Sequence, residues 1–194
     1  MTDFDLLRQH VAQYVPITDV EFEQFTALFH PKKIKKKDFL LREGEICKYE
    51  AFVIKGCFRI YYSDDKGDAQ ILYFAVESWW ATDIDSFTNQ RPSLLNIEAL
   101  EDSEVLVINK ADKDRLYETV PKVEKMFRIM NQKSLVTFQR RVISSLGKTA
   151  DKRYLEFIEK YPALEQRLSQ QQLAAYLGIS HEFLSKIRKK LSGK

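Results

Sequence analysis

The sequence predicts an α+β protein: an N-terminal antiparallel β-barrel or jelly roll with flanking helices, one long helix, and a C-terminal helical domain. Three observations carry this. Apolar residues alternate with a period of two over most of Ile34 to Lys110. An amphipathic helical run of about 25 residues, nearly 40 Å at 1.5 Å per residue, follows Pro121. The stretch QQQLAAYLGISHEFLSKIRKK, over 170–190, has the pattern of two short helices joined by a glycine break.

The chain opens helically, with Phe4, Leu7, Val11 and Tyr14 on one face. A second helix is expected from about Asp19 to Phe29, with Phe22, Phe25 and Phe29 together. Pro31 marks a change of character. EAFVIKG, CFRIYYS, AQILYFA, LLNIEAL and EVLVINK are then expected as strands, rich in Val, Ile, Phe and Tyr. Ser63 to Asp68 is a hairpin turn in which Gly67 can take positive φ. Closely spaced strands without long helices between them predict a barrel or jelly roll; a two-layer sandwich would show the same pattern.

From Lys110 the pattern is helical. A short helix to Thr119 precedes the long one, which carries Val123, Met126, Phe127, Met130, Ser134, Thr137, Arg141 and Ser145 along one side. Leu135, Phe138 and Val142 lie nearby. A helix this long in a chain of 194 residues predicts packing against a symmetry mate, with packing on its own barrel as the alternative. Gly147 is the expected hinge. A helix from about Thr149 to Tyr161 turns Tyr154, Phe157 and Ile158 inward. The expected domains are therefore 1–120, the long helix 121–146, and 147–194.

The 170–190 segment predicts a DNA-reading helix-turn-helix. Leu173, Ala174 and Leu177 have helical spacing, and Gly178 stands where a left-handed residue is wanted. Ile179 plugs the corner, and Ser180 is a good N-cap for the next helix. Phe183, Leu184 and Ile187 form its expected inner face. His181, Glu182, Ser185, Lys186, Arg188 and Lys189 remain outside, types that reach phosphates and base edges in a major groove. Gln171, on the first helix, is placed to contact phosphate.

Charge agrees with this reading. Residues 138–194 hold 12 Lys plus Arg against 5 Asp plus Glu, a net of +7; residues 1–137 hold 19 against 23, a net of −4. A basic tail on an acidic body suits a polyanionic partner, here double-stranded DNA. The lysines at 32, 33, 35, 36 and 37 read instead as the guard of a solvated edge strand.

No apolar run approaches the roughly 20 residues of a membrane span, and no leader-like stretch follows Met1, so the expected place is the cytoplasm with no membrane partner. Cys47 and Cys57 are expected as buried reduced thiols in adjacent strands. His10, His30 and His181 have no metal-ligand spacing, and neither a Gly-rich phosphate loop nor Gly-x-Ser-x-Gly occurs. The sequence therefore predicts neither a metal site nor catalytic residues.

Barrel, long helix, hinge and helix-turn-helix, in that order, resemble the Crp/Fnr family of bacterial transcription regulators over nearly the whole chain. The resemblance rests on Arg42-Glu43-Gly44-Glu45, on Val53-Ile54-Lys55-Gly56 followed by Phe58-Arg59-Ile60, and on Gly178 with its neighbours. It implies a homodimer formed through the 121–146 helix, a cyclic nucleotide-binding-like barrel, RNA polymerase as a further partner, and a small-molecule effector that shifts the long helix and repositions two readers. Gly44 and Gly56 would serve tight barrel turns. The ending FLSKIRKKLSGK looks like a subgroup without a strand pair after the reading helix.

The resemblance also implies a phosphate cassette with a Gly-Glu start and an Arg-Ser end. Here Ala81 and Thr82 stand at the start, and Pro92 and Ser93 at the end; only the serine keeps register. Arg91 is one place early, and Asp83 replaces the glutamate only under a one-residue shift. On the long helix, Ser134 and Thr137 lie near the family's ligand contacts. Without a guanidinium in its place, the cassette argues against cyclic AMP as a cofactor. Trp79 and Trp80, with Tyr73 and Phe74, predict an apolar or self-filled site instead. In the reading helix, Ser180-His181-Glu182 and Lys186 match the family's Ser-Arg-Glu and following Arg, with His181 and Lys186 as departures.

Overall fold

In a computed structural model, which describes residues 3–192, the chain divides into two units. Residues 1–62 and 73–133 form one, and residues 63–72 and 134–194 the other.

The first unit begins with α1 (Asp3–Ala12) and α2 (Asp19–Thr26). Thr18 and Glu21 close a capping box at the start of α2, each side chain meeting the other's backbone N–H. The helix ends at Thr26 rather than near Phe29, yet Phe29 remains buried just beyond it. Strands β1 (His30–Ile34), β2 (Phe39–Leu41), β3 (Tyr49–Lys55), β4 (Phe58–Ser63), β5 (Ala69–Ala75) and β6 (Trp80–Ala81) follow. After α3 (Ile84–Asn89) come β7 (Asn96–Ala99), β8 (Ser103–Asn109), α4 (Lys110–Thr119) and the 27-residue α5 (Pro121–Gly147).

The strands make two four-stranded sheets, ordered β1-β8-β3-β6 and β2-β7-β4-β5. The β1–β8, β3–β8, β3–β6, β2–β7 and β4–β7 pairings are all antiparallel. The two antiparallel sheets make a β-roll, as the alternating segments predicted. Strand formation starts at His30, four residues before the expected boundary, because β1 is an edge strand. There Pro31 forfeits no ladder bond that a central strand would need, and Lys32 and Lys33 stay wet.

The first sheet is covered on both faces. Ala51, Val53, Val105 and Val107 point toward the second sheet and meet Phe58, Ile60 and Ile97. Phe52, Leu106 and Ile108 point the other way and meet Leu7, Val11, Phe22, Phe25, Leu116, Val123, Met126 and Phe127 of the helices. Each such side chain, fully buried, contributes about 1.5–3 kcal/mol. The two-sided cover explains why EVLVINK reads as a nearly continuous apolar run. Gly56 joins β3 to β4 at φ +115°, and a Cβ there would lie 2.8 Å from Ser103 Cα, so only glycine fits. Cys47 and Cys57 are buried and form no disulfide, but both lie in connections and neither in a strand.

The second unit holds the hairpin segment 63–72, the second half of α5, and α6 (Ala150–Lys160), α7 (Pro162–Glu165), α8 (Gln170–Leu177) and α9 (His181–Ser192). Helix α5 ends at Gly147, where a break was expected. Among the buried residues of this unit are Ile71, Tyr154, Phe157, Leu164, Leu173, Ala174, Leu177, Leu184 and Ile187. Among the described residues, no helix is long and apolar enough to cross a membrane.

Candidate nucleic-acid interface and sensor cassette

The helix pair α8–α9 is built by local capping. Ser169 Oγ accepts from Gln172 N at 3.2 Å, and Gln172 Oε1 accepts from Ser169 N at 2.8 Å. Gly178 ends α8 at φ +65° and ψ 41°, and Ile179 N donates to Ala174 O at 3.1 Å. Ser180 Oγ then accepts from Phe183 N at 3.2 Å, starting α9. Leu184 and Ile187 are buried, which fixes the rotation of α9.

That rotation leaves His181, Glu182, Lys186 and Lys189 exposed on one side of α9, with Gln171 exposed on α8. The backbone N–H of Glu182 and the Ser180 hydroxyl hold the Glu182 carboxyl below the usual carboxylate range, so it remains an acceptor at neutral pH. Three other expected contacts are engaged within the chain. Ser180 caps α9, Ser185 Oγ donates to Gln170 Oε1 at 3.2 Å, and Arg188 pairs with Glu165 at 3.3 Å. Phe183 departs from its expected inner place: it is 48% exposed. Leu184 and Ile187 take the core instead.

In the first unit, the cassette is closed upon itself. Asp83 is the N-cap of α3, and its Oδ1 accepts from Asp85 N at 3.1 Å and Ser86 N at 3.3 Å. Ser93 Oγ donates to Asp83 Oδ2 at 2.6 Å. Ser86 Oγ donates to Arg91 O at 2.6 Å and accepts from Cys47 N at 2.8 Å. The Arg91 guanidinium is tied to Asp85, which holds that carboxyl below its usual range. Thr82 faces inward: its carbonyl accepts from the Tyr73 hydroxyl at 2.7 Å, and its hydroxyl lies 3.7 Å from Cys47 Sγ. Burial pushes both the Tyr73 phenol and the Cys47 thiol up, so neither is ionised at neutral pH.

The cassette thus brings together Thr82, Asp83, Arg91 and Ser93. Ser134 and Thr137 instead fall in the exposed stretch 131–140 of α5, in the other unit. Trp80 does not fill the space between the sheets. It packs on the helix side, with ring centroids 5.0 Å from Phe127 and 5.3 Å from Phe52, and donates to His10 Nε2 at 3.2 Å. Phe74 is buried, while Trp79 lies at the surface.

Two facing sheets, a short helix and loop between β6 and β7, and the long helix α5 followed by the capped pair α8–α9 can be compared with known proteins. Residues 31–120 match the family model of the cyclic nucleotide-binding domain. A comparison with curated protein sequences gave no match. Among solved structures, the c-di-GMP-responsive global regulator CLP of Xanthomonas campestris superposes with a TM-score of 0.74 at 19% identity, covering 91% of this chain and 92% of that one. FixK2 from Bradyrhizobium japonicum also gives 0.74 at 19% identity, covering 85% of each chain. A protein from Eubacterium rectale described as a crp/fnr-family regulator gives 0.70 at 16% identity, covering 93% and 88%. The likeness to these regulators is one of fold.

Proposed function

We propose that the protein is a homodimeric, sequence-specific regulator of transcription that reads double-stranded DNA with α9. The observation that carries this is the rotation of α9. Leu184 and Ile187 are buried, so His181, Glu182 and Lys186 are presented together from its N-terminal half. Residues at that end of a second helix reach base edges in the major groove. Glu182, held ionised, suits a cytosine N4 amino group, and Lys186 suits guanine or phosphate. Leu135, Phe138, Val142 and Leu146 recur along α5 at intervals of three, four and four residues, all exposed, and a second copy of α5 is their proposed cover.

Cyclic AMP is not the proposed effector. Donors of the cassette are spent on the carboxylate of Asp83, and the Arg91 guanidinium is spent on Asp85. An added phosphate would stand beside Asp83, with Pro92 offering neither an N–H nor a charge. The α+β scaffold serves instead as a self-closed sensor domain.

Selection of bound genomic fragments by the purified protein, with and without cyclic AMP, tests both statements. The expected result is a shared near-palindrome with half-sites about one helical turn apart, roughly 34 Å, found equally in both conditions. Enrichment only with cyclic AMP would refute the closed cassette. No enrichment in either condition would refute DNA reading by this protein as it stands.

A further inference from the structure

Phe183 is a large aromatic side chain left 48% exposed in the first turn of α9. Lys186 and Lys190, three and seven residues on along the same face, are both exposed. A Phe side chain offers 150–250 Å² of surface, so leaving it wet sacrifices a contact worth having. An apolar protein partner is a poor cover here, because it would desolvate the flanking lysines. The fitting partner is apolar at one small spot and anionic around it. Double-stranded DNA has that composition in its major groove, where the thymine 5-methyl group sits between rows of phosphates.

We propose that Phe183 is a specificity residue that packs on a thymine 5-methyl group in each half-site. This rests on the assignment of α9 as the reading helix. It adds to that assignment an apolar contact beside the polar ones of Glu182 and Lys186. The backbone that carries the ring is held from within the chain. Ser180 Oγ accepts from the Phe183 backbone N–H, and Leu184, the next residue, anchors the turn in the core. A base preference for thymine over cytosine follows, since cytosine carries no 5-methyl group.

The test uses the full-length protein and its selected operator. Each thymine is replaced in turn, in both half-sites, by deoxyuridine, which removes only the methyl group. Wild-type protein is expected to lose about fourfold affinity per half-site at one symmetric position, the worth of one buried methyl. Phe183→Ala is expected to bind the parent operator more weakly and to be indifferent to deoxyuridine at that position. Wild-type binding that stays sequence-specific and equally tight on every substituted operator overturns the thymine contact while leaving α9 as the reader. A protein that selects no operator overturns the reading helix, and this contact with it. Because the substitution is made in the DNA, the wild-type result does not depend on the folding of any variant.

Discussion

Arg153 donates from Nη2 to the Leu177 carbonyl at 2.9 Å, and from Nη1 to the carbonyls of Ser145 and Lys148 at 3.3 and 3.0 Å. One guanidinium therefore gathers the carbonyl end of α8 and the end of α5. Carbonyls at helix C-termini carry partial negative charge, so a cation there is favoured. Arg141 makes a second grip on the same turn of α8. It donates to Tyr176 O at 2.9 Å and to Ile71 O at 2.8 Å, with its guanidinium carbon 4.1 Å from the Tyr176 ring centroid.

Arg153→Ala should free the helix-turn-helix from the end of α5. Charged hydrogen bonds are worth about 1.5–3 kcal/mol each, and part of that is lost to solvent. We expect operator affinity to fall about tenfold or more, with the dimer unchanged in sedimentation. Arg153→Lys should recover only part of the affinity, because an ammonium cannot span several carbonyls as the planar fork does. Unchanged affinity in Arg153→Ala would mean that the grip plays no part in presenting α9.

The bare row on α5 makes a separate prediction. Val142→Glu combined with Leu135→Glu should convert a dimer to a monomer at micromolar concentration, as read by sedimentation. Circular dichroism should show little change, since both residues are exposed in the lone chain. A dimer that survives both changes would place its interface elsewhere.

Lys113 and Glu50 form a buried ion pair beside the Phe127 ring, with the ammonium 3.9 Å from its centroid. Burial pulls the Lys113 ammonium below its ordinary value, and Glu50 opposes that pull. Breaking such a pair from one side leaves an unpaired buried charge, at a cost of about 3–5 kcal/mol. Lys113→Met and Glu50→Gln should each lower the melting temperature sharply. The double variant should be markedly more stable than either single one. Additive losses in this cycle would contradict the pairing.

His10 is buried, and it accepts from Trp80. Burial, helped by Lys133, lowers its pKa from 6.5 to about 4. The unfolded chain therefore binds the extra proton first. Stability from this group is complete above about pH 6.5 and is lost as pH falls toward 4, by about 1–3 kcal/mol. His10→Gln should show a smaller drop in melting temperature between pH 7 and pH 5 than the parent. Equal drops would show that other groups govern acid sensitivity.

The long periodic segments and the locally capped ones were legible in the sequence. Strands β3, β4, β5, β7 and β8 announce themselves through Val, Ile, Phe and Tyr, and α8–α9 through Gly178 and Ser180; the Ser169 cap went unread. Strand β1 was legible as an edge strand guarded by lysines, but its start was not, because HPKKI is basic, contains a proline and takes its register from β8. Phe39–Leu41 and Trp80–Ala81 are too short to show a period. The outward turn of Phe183 was not legible, since the spacing of Phe183, Leu184 and Ile187 admits either neighbour inside. Arg91 looked available for an anion because its tie to Asp85 is made by side chains across a loop. The Lys113–Glu50 pair joins residues 63 apart, and no local pattern records it.

The row of Leu135, Phe138, Val142 and Leu146 also bears on gene dosage. If two chains must pair before an operator is filled, the supply of competent regulator follows the square of its synthesis while most chains are single. Halving expression then leaves about a quarter of the pairs. Under that pairing, an exposed apolar stripe would make operator filling depend steeply on abundance.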